Sequence, residues 1–184
     1  MLLQPEDASL FISLYSSLIG FTAGRLGGVA GIVDVKTFNR ASNNARAEAR
    51  DKLLDHISLI DDFVEENPYQ FPERALSNVL KWEHFISDKF FVERDLKNYT
   101  VFLNEGDPPK AYGVLGLTDE IIEMIPYPLP VFGSAVLLPW KGQIVCDGLI
   151  LIYSVRLGRG IRKNLKESYQ QAKAQGIITS LETG

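Results

Sequence analysis

The stretch Val131–Leu157, VFGSAVLLPWKGQIVCDGLILIYSVRL, decides the fold. Val131 to Leu138 reads as a strand, a short and largely apolar run bounded by Pro130 and Pro139. Pro139-Trp140-Lys141-Gly142 reads as a turn, and Gln143 to Leu157 as a long returning strand. Asp147-Gly148 interrupts that second strand. A bulge is the expected cause, since glycine accepts the backbone angles that a bulge needs.

Upstream of this hairpin the pattern is again pleated. Phe90, Phe91 and Val92 form one β-type run, Tyr99 to Leu103 a second and Ala111 to Leu117 a third, with Glu105-Gly106-Asp107-Pro108-Pro109 as a turn. Asp119 to Ile125 reads as a short helix capped by Thr118. Pro126, Pro128 and Pro130 then force an extended passage. A mostly antiparallel sheet is therefore expected over about 89–157.

Before residue 88 the period changes from two to about three and a half. Pro5, Glu6 and Asp7 suit a helix start, and Leu10, Leu14, Leu18 with Phe11, Tyr15, Ile19 recur at helical spacing, giving a helix over about 5–19. The glycines from Gly20 to Gly31 are expected to end it. The spacings Gly20-x-x-x-Gly24 and Gly27-x-x-x-Gly31 match a membrane-helix pairing pattern but are read as a flexible turn. Phe38, Ala41, Ala45, Ala49, Leu53, Ile57, Ile60 and Val64 predict one long amphipathic helix over about 37–66, stopped by Asn67-Pro68. A third helix is expected over about 72–87 and a closing helix over about 160–175, ended by Gly176 and followed by a short strand over Ile177–Leu181. Helices, then strands, then helix and strand make an α+β fold. One domain, 1–184, with a shared core is expected; the alternative is a helical subdomain 1–88 and a sheet subdomain 89–184.

The totals narrow the functional classes. The 184 residues are 46% hydrophobic and 23% charged, as in ordinary globular chains. One cysteine, Cys146, allows no intramolecular disulfide and points to a reducing, cytoplasmic setting. With only His56 and His84 beside it, zinc sites of the four-cysteine or two-cysteine, two-histidine type are excluded. The uncharged run Ala8–Gly24 is preceded by Glu6 and Asp7 rather than by positive charge, so a core helix is expected there, with no signal peptide or membrane span. A net charge of −4 argues against a surface that grips nucleic acid all over, while leaving room for a local basic patch.

Several phrases resemble a family of uncharacterised bacterial proteins. They are Asp61-Asp62-Phe63-Val64 with Asn67-Pro68, Tyr99-Thr100-Val101-Phe102, Tyr112-Gly113-Val114-Leu115-Gly116-Leu117, and Val136-Leu137-Leu138-Pro139-Trp140-Lys141-Gly142 continuing into Asp147-Gly148. The run Ser168-Tyr169 to Ala172-Lys173 with Gly176-Ile177-Ile178 is similar too. Longer relatives often carry a cysteine-rich, zinc-binding tail of the kind found on the SecA translocase. This chain has no such tail, so the resemblance implies a class and neither a metal role nor a mechanism.

Four groups of residues carry candidate chemistry. Arg156, Arg159, Arg162, Lys163 and Lys166, with Gly158 and Gly160 among them, suit a phosphate or nucleic-acid backbone at a helix start, or else a solvated helix face. Trp140 and Lys141 at a hairpin tip suit base stacking or a protein anchor, and Tyr99 and Tyr112 extend that surface if they share its face. Asp147 and Cys146 are weak catalytic candidates at a strand bulge, with no histidine adjacent in sequence to act as a base. Asp61 with Glu65, and Asp62 with Glu66, share a helix face and could hold a cation, yet they are placed at the negative end of the long helix, and a charge match to the basic stretch, within the chain or across a dimer, is the preferred explanation of both clusters.

No metal and no cofactor are expected. The leading reading is a non-enzymatic intracellular binding or regulatory module with a basic, aromatic-flanked surface. Its expected partner is a protein or a nucleic acid, or a second copy of the chain, and not a membrane. The alternative is a small hydrolase or transferase that uses Asp147.

Overall fold

The uncharged N-terminal run folds as a helix, α1, spanning Pro5–Arg25. Proline sits in its first turn with Glu6 and Asp7, and Arg25 in its last, so both ends complement the helix dipole. It runs six residues beyond the expected end because Gly20 and Gly24 do not break it. They are sites of close approach. A β-carbon on Gly20 would lie 2.4 Å from the Val35 amide nitrogen, and one on Gly24 would lie 2.8 Å from the Val33 carbonyl oxygen. The glycines admit the returning backbone against α1, and the helix ends only at Gly27, which has φ +77°.

The long helix expected over 37–66 is three helices: α2 (Val35–Arg40), α3 (Asn43–Asp55) and α4 (Leu59–Glu66). Local capping beats hydrophobic periodicity here. The Asp34 carboxylate accepts from the Thr37 amide at 2.8 Å while the Thr37 hydroxyl accepts from the Asp34 amide at 3.0 Å, a capping box that starts α2. Ser42 accepts from the Ala45 amide at 3.3 Å and starts α3. The chain breaks again at His56, which leaves Ile57 only half-buried while Ile60 is fully enclosed. Asn67, with φ 39°, terminates α4, and its side chain clasps the Phe71 amide and carbonyl. The third expected helix is α5 (Glu73–Leu80) followed by a 3₁₀ turn over Lys81–His84.

These hydrogen bonds lower the Asp34 carboxyl below its ordinary value of 3.8, with the Thr37 amide as the largest cause. A lowered folded-state pKa stabilises the fold above the unfolded value, and that contribution disappears as pH falls through the folded value. Asp34→Ala is therefore expected to lower the melting temperature at pH 7 and to have a smaller effect near pH 2. Melting curves of both proteins at the two pH values check this.

The structure, a computed structural model, describes residues 1–181. The chain divides into two compact units. One is Gln4–Glu83, the other is Met1–Leu3 with the chain from His84 onward. In the helical unit Phe11, Tyr15 and Trp82 form an aromatic cluster with centroids 5.0–5.7 Å apart. Phe63 meets Phe21, Tyr69 and Phe71 in a second. No helix among the described residues is long and apolar enough to cross a membrane.

The second unit holds six strands: β1 (Ile86–Asp95), β2 (Thr100–Asn104), β3 (Ala111–Leu115), β4 (Val131–Trp140), β5 (Gln143–Cys146) and β6 (Leu151–Ile152). It ends in α6 (Arg159–Gln175). Strands β1 to β3 form a meander, and β4 returns beside β1. Only β3 and β5 pair in parallel among the described strands. Because β1 pairs with both β2 and β4, the ladder β1-β2-β3-β5-β4-β1 closes into a five-stranded barrel. A bulge between Val92 and Arg94 lets β1 serve both neighbours.

Alternate residues point into the barrel, as the strand period requires. Phe90, Val92, Phe102, Tyr112, Val114, Ala135, Leu137, Ile144 and Cys146 fill it, with Ile121 from the 3₁₀ turn Ile121–Met124 and Ile125 just after it. Thr118 does not cap that turn. Glu120 does, in a capping box with Glu123. On the outer face Leu165, Tyr169 and Ala172 of α6 cover Val101, Leu103 and Ala111. The short closing strand is a single parallel bridge from Ile178 to Tyr112, beside the place where β5 joins β3.

Candidate functional site

The strand expected over 143–157 is β5, an interruption and β6, all along one edge of β4. Leu137 faces Cys146 and Ser134 faces Leu151, so three steps on β4 oppose five on its neighbour. Asp147-Gly148 thus lies in a wide bulge with two extra residues. The bulge explains Asp147. Its carboxylate is buried and accepts from the Leu149 amide at 3.0 Å, which closes the loop of extra chain. The Cys146 thiol lies 3.9 Å from the same oxygen. Cys146 points into the barrel, opposite Leu137. His56 is in the helical unit, with its Nδ1 3.0 Å from the Lys52 carbonyl. Asp147→Ala is expected to cost about 1 kcal/mol by removing the carboxylate that accepts from the part-buried Leu149 amide, and Asp147→Asn to restore most of that. Urea midpoints of the three proteins decide it; a neutral alanine variant frees Asp147 for other work.

The hairpin-tip surface is corrected by the geometry. The turn is only Lys141-Gly142, with φ 49° and 78°, a two-residue hairpin turn of the twisted type. Pro139 and Trp140 belong to β4, and Trp140 is fully buried. It is therefore not a stacking platform, and Lys141, lying over its ring at 5.3 Å, tops a closed surface. Tyr112 and Tyr99 do not extend that surface either. Tyr112 points into the barrel, where burial pushes its phenol pKa up, while the Tyr99 ring lies outside over Gly113.

The acidic group finds a local explanation. Because α4 starts at Leu59, Asp61 and Asp62 sit in its first turn, at the favourable end of the dipole. Glu66 pairs with Arg25. Among the described residues no cluster of three or more His, Cys, Asp or Glu side chains is arranged to hold a metal ion.

The basic stretch is the one group that the fold turns into a site. Arg156 and Arg162 line a cleft of about 650 Å³ in the sheet unit. Gly158, the N-cap of α6, lines it too, and the Arg162 Nε donates to the Leu157 carbonyl at 3.1 Å, which fixes that side chain along the cleft wall. Arg159, Lys163 and Lys166 stand outside it. With Arg162 they occupy positions i, i+3, i+4 and i+7 of α6, one exposed stripe beside the buried Leu165–Tyr169 face. Lys163 spans 3.8 Å to Glu167 on the exposed helix surface.

The remaining walls carry Tyr127, Phe132 and Tyr153, which sequence reasoning missed. Phe91 on β1 faces Phe132 on β4, with ring centroids 4.5 Å apart, and Phe132 lies 5.6 Å from Tyr153. These rings form a row across the outer face of the barrel. Their only sequence signal is that each alternates with core residues, and the row itself depends on the pairing of β1 with β4. No known protein family, no curated protein and no solved structure matches this chain.

Proposed function

We propose that this protein is a non-enzymatic binding or regulatory module whose working surface is the arginine- and aromatic-lined cleft beside α6, and that its partner is anionic. One observation carries the reading: Arg156 and Arg162 share a concave site with Tyr127, Phe132 and Tyr153, and no carboxylate is among the residues lining it. A cleft of this volume is within the range of ligand sites. Its two guanidinium groups suit planar, bidentate recognition of phosphate or carboxylate. The reading is supported by fold-level analogy. A meander of three strands with a fourth returning beside the first, closed by a fifth, is the five-stranded Greek-key barrel of oligonucleotide- and oligosaccharide-binding folds. Such analogy by itself assigns no ligand. Membership of the bacterial family resembled by the Tyr112–Leu117 and Val136–Gly142 phrases is likewise our proposal.

The test is retention on immobilised heparin, a generic polyanion. The native protein is expected to bind at low salt despite its net charge of −4, and Arg156→Ala with Arg162→Ala to elute at clearly lower salt. Identical elution of the two proteins overturns the reading.

A further inference from the structure

We infer that the occupant of the cleft is a short single-stranded nucleic acid, held by its phosphates at Arg156 and Arg162 and by its bases on Tyr127, Phe132 and Tyr153. This inference rests on the anionic-partner reading above and names its chemical class. The β2–β3 face through which barrels of this architecture bind is covered here by α6, so the cleft is a different surface.

The rings decide between partners. Tyr127 is half-exposed, with its phenol ring open to solvent, and Phe132 and Tyr153 are partly uncovered. Phe132 packs against Phe91 at a centroid distance of 4.5 Å, so the ring is held in place and costs little entropy to use. A base presents a π face at every nucleotide, and a phosphate recurs beside it, so aromatic rings next to arginines match a single strand step by step. A duplex hides its base faces. A polyanion without bases uses the arginines and leaves the rings idle. The stripe Arg159–Lys163–Lys166 beside the cleft offers the backbone a continuation along α6.

The experiment uses fluorescence anisotropy of the full chain with a labelled twelve-nucleotide single strand, a duplex of the same sequence, and inorganic polyphosphate and an oligo-glutamate peptide as competitors. The single strand is expected to bind more tightly than the duplex and to resist both competitors. Arg156→Ala with Arg162→Ala should weaken binding and flatten its salt dependence. Tyr127→Ala removes an exposed ring, so the fold should survive, and binding should drop about tenfold with the salt slope unchanged. Equal binding of polyphosphate with no effect of Tyr127→Ala overturns the nucleic-acid inference and leaves the anionic reading standing. Preference for oligo-glutamate overturns the inference in favour of an acidic protein segment. Failure to bind any polyanion overturns both.

Discussion

Replacing Phe102 by alanine is expected to cost about 3–5 kcal/mol, a loss comparable to the whole stability of a marginal domain. Phe102 is fully enclosed in the barrel and meets Phe90 edge-on at 5.7 Å. Its neighbours belong to a closed ladder of strands, so they have little freedom to collapse into the void, and the cavity term adds to the lost transfer energy. Amide hydrogen exchange along β1, β2 and β3 reads the effect where it arises. Protection should fall by orders of magnitude in those strands. Retained protection would show that the barrel interior is loosely packed.

Gly20→Ala is the second large effect, and its sign is decided by weighing two terms. In an exposed helix the change gains up to about 1 kcal/mol, because alanine is the better helix former. Here the new methyl group would sit 2.4–2.8 Å from the Val35 nitrogen, the Asp34 carbonyl carbon and the Val35 α-carbon. All three are backbone atoms, so no side chain can swing away. Overpacking of this kind costs about 1–3 kcal/mol or more, and the displaced segment carries the Asp34 capping box that starts α2. Net destabilisation is expected. A melting temperature equal to or above that of the native protein would show that α1 and the Val33–Val35 chain separate without penalty.

These two sites show how legibility varied along the chain. The apolar spacing around Phe11, Leu14 and Leu18 placed α1, because a helix that buries one stripe must repeat it every three or four residues. The same spacing misled between residues 35 and 66, where Asp34 and Ser42 offer side-chain acceptors to backbone amides and restart the helix locally. Trp140 misled for a different reason. A residue next to a turn is exposed or buried according to which face of its strand is covered, and the covering elements are distant in sequence.

For the candidate site, the basic stretch was legible as composition, and Asp147-Gly148 was legible as an interruption, since glycine and a short acid mark a break wherever they occur in a strand. The cleft was not legible. Phe132 comes from β4 and Tyr153 from the chain just after β6, and only the antiparallel pairing of β4 with β6 brings the two rings to one cleft with Arg156 and Arg162. The sequence by itself determined the α+β class and the succession of helices, then strands, then a closing helix, because the change of apolar period follows from contacts within a few residues. Tertiary structure alone decided barrel closure, the burial of Trp140 and the meeting of rings with arginines, because each depends on which distant backbones pair, a choice made by the whole core at once.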